Sequence, residues 1–168
     1  MRFRFRAVQE EPYFRELSPT VSYGTCSFGG FITVGSMSNG ILIADDSATA
    51  RKAIRAYLNQ RNFEVCGEAI DGVDALEKAT ELEPALILLD LRMPRMNGVE
   101  VASVLRGRMP KMRIVLLTMY DEVLVYKSLI SAIGIDAIIS KPDGFRSLAE
   151  CVRGLLDSAR VAPEGNVS

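Results

Sequence analysis

The chain has 168 residues, 48% hydrophobic and 24% charged, the balance of an ordinary globular fold with room for one core. Its 20 basic and 21 acidic residues leave a net charge of −1, which provides no basic face and argues against direct nucleic-acid binding by this chain. The absence of histidine, with Cys26, Cys66 and Cys151 outside any metal-ligand spacing, argues against zinc; no apolar run approaches the roughly 20 residues of a membrane span, so reduced thiols and a cytoplasmic location are expected.

Residues 1–39 read as an N-terminal extension. Phe3, Phe5, Tyr13, Phe14, Tyr23, Phe28 and Phe31 lie there among glycines and serines, yet no helical or strand period persists. Disorder, or dispensability to the fold, is the expectation for such a segment. From Ile41 onward, short apolar runs alternate with amphipathic stretches. The expected strands are Ile41–Ala44, Phe63–Ala69, Ala85–Leu89, Ile114–Leu117 and Ala137–Ser140, whose Ile, Val and Leu content suits burial on both faces.

Between the first two strands, Ala50, Ile54, Tyr57 and Leu58 fall at i, i+4, i+7 and i+8; Leu148, Val152, Leu155 and Leu156 repeat that spacing after the fifth. Each set predicts a helix with one apolar stripe. Between the fourth and fifth strands, Val123, Leu124, Val125, Tyr126, Leu129, Ile130 and Ile133 exceed what one core-facing stripe needs, so part of this helix is expected to form a contact surface. Five strand-helix units joined by right-handed crossovers make an α/β fold, an open doubly wound parallel sheet flanked by helices. The folded domain is expected over residues 40–158, with 159–168 as a tail.

Sites in such sheets lie beyond the carboxyl ends of the strands. Those positions hold Asp45 and Asp46 after the first strand, Asp90 at the end of the third, Thr118 at the end of the fourth and Lys141 after the fifth. Carboxylates gathered this closely raise one another's pKa unless a cation joins them, and an all-oxygen donor set suits Mg2+. Taken singly, Asp46 or Ser47 could simply cap the first helix. Capping does not account for an acidic pair, a lone Asp, a Thr and a Lys at four strand ends.

Over Ile41 to about Ser158 the sequence resembles the receiver domains of two-component response regulators. The likeness rests on I-L-I-A-D-D-S around Asp45 and Asp46, L-I-L-L-D-L-R-M-P-R-M-N-G around Asp90, V-L-L-T at Thr118 and I-I-S-K-P at Lys141. It implies a flavodoxin-like five-stranded sheet in the order 2-1-3-4-5 with five helices. It also implies Asp90 as phosphoacceptor, Asp46 as a direct Mg2+ ligand, Asp45 as a ligand through water, and the Arg92 carbonyl as a further ligand. Thr118 and Lys141 would contact the phosphoryl group, and Lys141-Pro142 would be a cis peptide. The implied partners are a sensor histidine kinase or phosphotransfer protein and a second copy of the chain through the helix between the fourth and fifth strands. The motif style looks like receivers that precede helix-turn-helix output domains.

One departure stands out. Receivers usually carry Tyr or Phe three residues before the lysine, where this chain has Ile138, which implies retained phosphorylation with weak or constitutive switching as an alternative. A rival from another class is a Mg2+-dependent aspartyl-phosphate phosphohydrolase of the haloacid dehalogenase type. Its Asp-x-Asp-x-Thr motif after the first strand does not fit Asp45-Asp46-Ser47-Ala48-Thr49. A nucleotide-binding module would need a Gly-rich loop at that place.

Overall fold

Ile41, Leu42, Ile43 and Ala44 are all fully buried, and so are Leu86, Ile87, Leu88 and Leu89. No polar side chain interrupts either run, so both are strands covered on both faces. The computed structural model describes residues 40–119, 132–141 and 146–160. In chain order its elements are β1 (Ile41–Ala44), α1 (Ala48–Asn59), β2 (Val65–Ala69), α2 (Gly72–Leu82), β3 (Leu86–Asp90), α3 (Gly98–Arg108), β4 (Arg113–Thr118), β5 (Ala137–Ser140) and α4 (Arg146–Arg160).

The strands form one parallel sheet in the order β2-β1-β3-β4-β5, as the resemblance implies. Strand periodicity divides its side chains into two layers. Leu42, Ala44, Ile87, Leu89, Ile114 and Leu116 meet Ala75 and Ala79 of α2 and Val101, Ala102 and Leu105 of α3. Ile41, Ile43, Leu86, Leu88, Val115 and Leu117 face the other way, onto Ile54 and Leu58 of α1 and Leu148, Val152 and Leu156 of α4. The i, i+4, i+8 stripes of α1 and α4 therefore close one layer.

Some details differ from the sequence expectation: β3 and β4 are Leu86–Asp90 and Arg113–Thr118 rather than Ala85–Leu89 and Ile114–Leu117. β2 begins at Val65 rather than Phe63, because the chain is still leaving α1 there: Asn62 has φ 61 and the Phe63 N–H donates to Leu58 O at 3.1 Å. β2 and β5 are only half-buried, since each is an edge of the sheet. Four helices lie among the described residues. The N-terminal extension, most of the expected contact helix from Val123 onward, and the Lys141-Pro142 peptide lie outside them. Cys66 and Cys151 are free thiols, raised above the ordinary cysteine pKa first by burial. Among the described residues no helix is long and apolar enough to cross a membrane.

Local chemistry explains where the helices start. Ser47 caps α1 by accepting from the Ala50 N–H, and Asp71 caps α2 by accepting from the N–H groups of Val73 and Asp74. Asn97 and Glu100 form a capping box at α3. Strand register then sets the site: Ala44 lies beside Leu89, Asp90 beside Leu117 and Thr118 beside Ser140, so the carboxyl ends of β1, β3, β4 and β5 share one edge.

Candidate functional site

At that edge the chain leaves β1 through Asp45, which is fully buried. Its backbone N–H donates to Ala69 O at 3.2 Å, extending the ladder to β2 by one residue. Asp45 Oδ1 accepts from the Ser47 N–H at 2.8 Å, and Oδ2 accepts from Lys141 Nζ at 2.9 Å. Because Ser47 takes the capping role, the exposed carboxylate of Asp46 is left at the pocket.

Asp90 is the last residue of β3 and is 6% exposed, with Lys141 Nζ 2.5 Å from its Oδ1. One oxygen each from Asp45, Asp46 and Asp90 lie within 4.8 Å of one another. Thr118 ends β4, buried, and its hydroxyl donates to Met119 O at 3.2 Å. The Lys141 N–H donates to Thr118 O at 2.8 Å, which ties the exit of β5 to that of β4 and directs the lysine across the pocket. Thus Asp45, Asp46, Asp90 and Lys141 come together at one edge, with Thr118 at a neighbouring strand end. Arg92 lies in the following loop, exposed, two residues past Asp90. Ile138 is half-buried against the layer that contains Leu116.

The electrostatics of this edge are unbalanced. Burial pushes the Asp90 carboxyl above the ordinary carboxylate range; Lys141 opposes this, while the charges of Asp45 and Asp46 add to it. Lys141 loses hydration too, but hydrogen bonds to Asp45 and Asp90 outweigh that loss and hold its amine above the usual lysine value. Between the ordinary carboxyl pKa and the raised one of Asp90, the folded chain binds more protons than the unfolded chain, so stability falls as pH rises through that window. Asp90→Asn removes this penalty. In the absence of divalent cations its melting midpoint at neutral pH should exceed that of the native chain. The gain should shrink as pH falls toward the ordinary carboxyl range; equal midpoints at neutral pH would contradict the account.

Two further groups lie close by, of which the first, Asp71 with Arg95, was not singled out from the sequence and the second, Gly98, was part of the motif around Asp90. Asp71 follows β2 closely, and its carboxylate receives Arg95 from the loop between β3 and α3. Burial acts to raise the Asp71 carboxyl, but the Asp74 N–H and the guanidinium of Arg95 prevail and hold it below the usual range. The Asp71-Gly72 pair after a strand end was a readable signal for the first partner. Nothing in the local sequence pointed to Arg95. Gly98 is the second group: its N–H donates to Leu91 O at 3.0 Å, and α3 there passes directly over Asp90.

A parallel 2-1-3-4-5 sheet with an acidic cluster, a hydroxyl and a lysine at its carboxyl edge defines a signalling receiver rather than a nucleotide-binding module. The family described as response regulator receiver domain matches residues 41–153. The response regulator VraR of Staphylococcus saprophyticus is 40% identical over 115 residues, 67% of this chain and 54% of that protein. Among solved structures, the receiver domain of AraT, a response regulator from Geobacillus stearothermophilus, has TM-score 0.66 and 32% identity, covering 74% of this chain and 97% of that one. TrrA from Thermotoga maritima, solved in complex with Mg2+-BeF, has TM-score 0.63 and 32% identity, covering 70% and 98%. This chain belongs to the response regulator receiver domain family of two-component signalling. It spans about half the length of the curated relatives it matches.

Proposed function

We propose that this chain accepts a phosphoryl group on Asp90 from the phosphohistidine of a sensor histidine kinase or a phosphotransfer protein, and passes the change on through partner or dimer contacts. One observation carries this reading: a buried carboxylate at the end of a central strand lies 2.5 Å from an amine and within 4.8 Å, oxygen to oxygen, of two other aspartates.

The donor set also supports a bound cation. Three carboxylates, with no imidazole or thiolate among them, suit a small hard ion, and Asp45, Asp46 and Asp90, with the Arg92 carbonyl, would hold Mg2+. When bound, Mg2+ supplies positive charge beside the oxygens of the transferring group. TrrA, the relative solved with Mg2+-BeF, lends further support.

The chain's own residues account for the rest. A carboxylate oxygen of Asp90 attacks phosphorus, a P–O bond forms, and the bond from phosphorus to the donor breaks, its electron pair leaving with the imidazole or, for acetyl phosphate, with acetate. Lys141 favours the ionised, nucleophilic form of Asp90, and its amine would turn to a phosphoryl oxygen after transfer. The Thr118 hydroxyl would donate to another. No external substrate is turned over beyond the phosphodonor.

Intact-mass measurement tests the assignment. After incubation with acetyl phosphate and Mg2+, the native chain should gain a single phosphate and Asp90→Asn none. A phosphate adduct on Asp90→Asn would overturn Asp90 as the acceptor.

A further inference from the structure

The loop after Asp90, Leu91 to Asn97, is anchored at both ends by backbone hydrogen bonds: the Leu91 N–H donates to Leu117 O at 2.9 Å, and the Gly98 N–H donates to Leu91 O at 3.0 Å. Its middle is held differently. Arg95 has φ 65, a left-handed conformation that a residue with a Cβ rarely takes. From there its Nη2 pairs with Oδ2 of Asp71, while Oδ1 of the same carboxylate caps α2.

Backbone joins backbone beside this pair. The Gly72 N–H reaches Pro94 O at a long 3.5 Å, and a Cβ on Gly72 would lie 2.1 Å from Met96 O. The start of α2 is therefore pressed against the loop that carries Arg92. An unfavourable backbone angle persists only where its surroundings over-determine it, and such angles gather at functional sites. The Arg95 side chain is 54% exposed, so its ion pair adds little to the stability of the fold. Its consequence is where the loop is held.

We propose that Arg95 and Asp71 are positioning residues for phosphoryl uptake. The pair fixes the loop so that the Arg92 carbonyl and the Asp90 carboxylate keep a common geometry toward the cation and the incoming phosphoryl group. The inference rests on the reading of Asp90 as phosphoacceptor. It adds α2, through its first turn, to the parts that set the rate of uptake.

The test uses the full chain with Arg95→Gln, Asp71→Asn, the double variant and Arg95→Lys. Asn at position 71 keeps an oxygen for the α2 cap, so helix initiation survives. Uptake from acetyl phosphate in saturating Mg2+, followed by intact mass, should slow about fivefold in either single variant, within the range of pairwise coupling between residues in contact. The double variant should be no slower than the singles, and Arg95→Lys should recover part of the rate. With no phosphodonor present, Mg2+ titration followed by the amide shifts of Asp90 to Met93 should give a half-saturation raised about threefold in the single variants. Melting midpoints should stay within a few degrees of native.

Native rates and native Mg2+ affinity in both single variants would overturn the proposal while leaving Asp90 as acceptor. Slowed uptake accompanied by a large fall in melting midpoint would also overturn it, in favour of a purely structural pair. No uptake by the native chain would instead defeat the underlying phosphoacceptor reading.

Discussion

Asp136→Ala should lower the unfolding free energy by about 3 kcal/mol, the low end of the cost of breaking a buried ion pair. The residue sits immediately before β5, and its carboxylate is mostly buried. Oδ2 accepts from Arg106 Nη2 at 2.8 Å and from the Ile114 N–H at 2.9 Å, while Oδ1 accepts from Arg113 Nη1 at 2.9 Å. Arg106 also donates to the carbonyls of Pro110, Met112 and Gly134, so one carboxylate and one guanidinium fasten α3, β4 and the entrance to β5 together. Alanine would leave two half-buried cations and a strand N–H short of an acceptor, which costs more than the lost contacts alone. Thermal unfolding of the variant is the measurement, with a midpoint roughly 10 °C lower expected. A shift within a degree or two would show that solvent replaces the carboxylate easily.

Gly98→Ala should be costly for a different reason, crowding of the backbone. A Cβ at this first residue of α3 would stand 2.4 Å from the carbonyl oxygen of Asp90 and 3.0 Å from Leu116 Cδ1. Neither the strand nor the helix can yield without moving the other, so a loss of about 2–3 kcal/mol is expected. Because the displaced atom belongs to Asp90, phosphoryl uptake should slow as well. Gly154→Ala in α4 is the matched control. A Cβ there meets nothing within 4 Å, and the change should stabilise the chain by about 1 kcal/mol through helix propensity. If Gly98→Ala and Gly154→Ala shifted the midpoint alike, the close approach of α3 to Asp90 would be unimportant.

The parts of the fold that were legible in the sequence are those that depend on local pattern. Uninterrupted runs such as Leu86 to Leu89 announced strands covered on both faces, and the spacing of Ile54 and Leu58 or of Leu148, Val152 and Leu156 announced the helix stripes. The acidic cluster was legible for a topological reason: parallel strands bring their carboxyl ends to one edge, so the residues at the end of each apolar run already grouped Asp45, Asp90, Thr118 and Lys141. The half-burial of β2 and β5 was not legible from their composition, since an edge is defined by strand order. The pairing of Asp71 with Arg95, 24 residues away, and of Asp136 with Arg106, 30 residues away, leaves no periodic trace either. Each joins side chains whose meeting depends on the finished sheet.

The contrast between the two ends of the sheet has a thermodynamic consequence. Where β4 and β5 begin, Asp136 meets guanidinium groups in direct contact. Where they end, three carboxylates confront the ammonium of Lys141. The crowding of carboxylates at that rim is a local conflict in the folded chain. A ligand that neutralises that rim gains the relief of a conflict built in during folding, and part of its affinity is supplied by the other layers of the core.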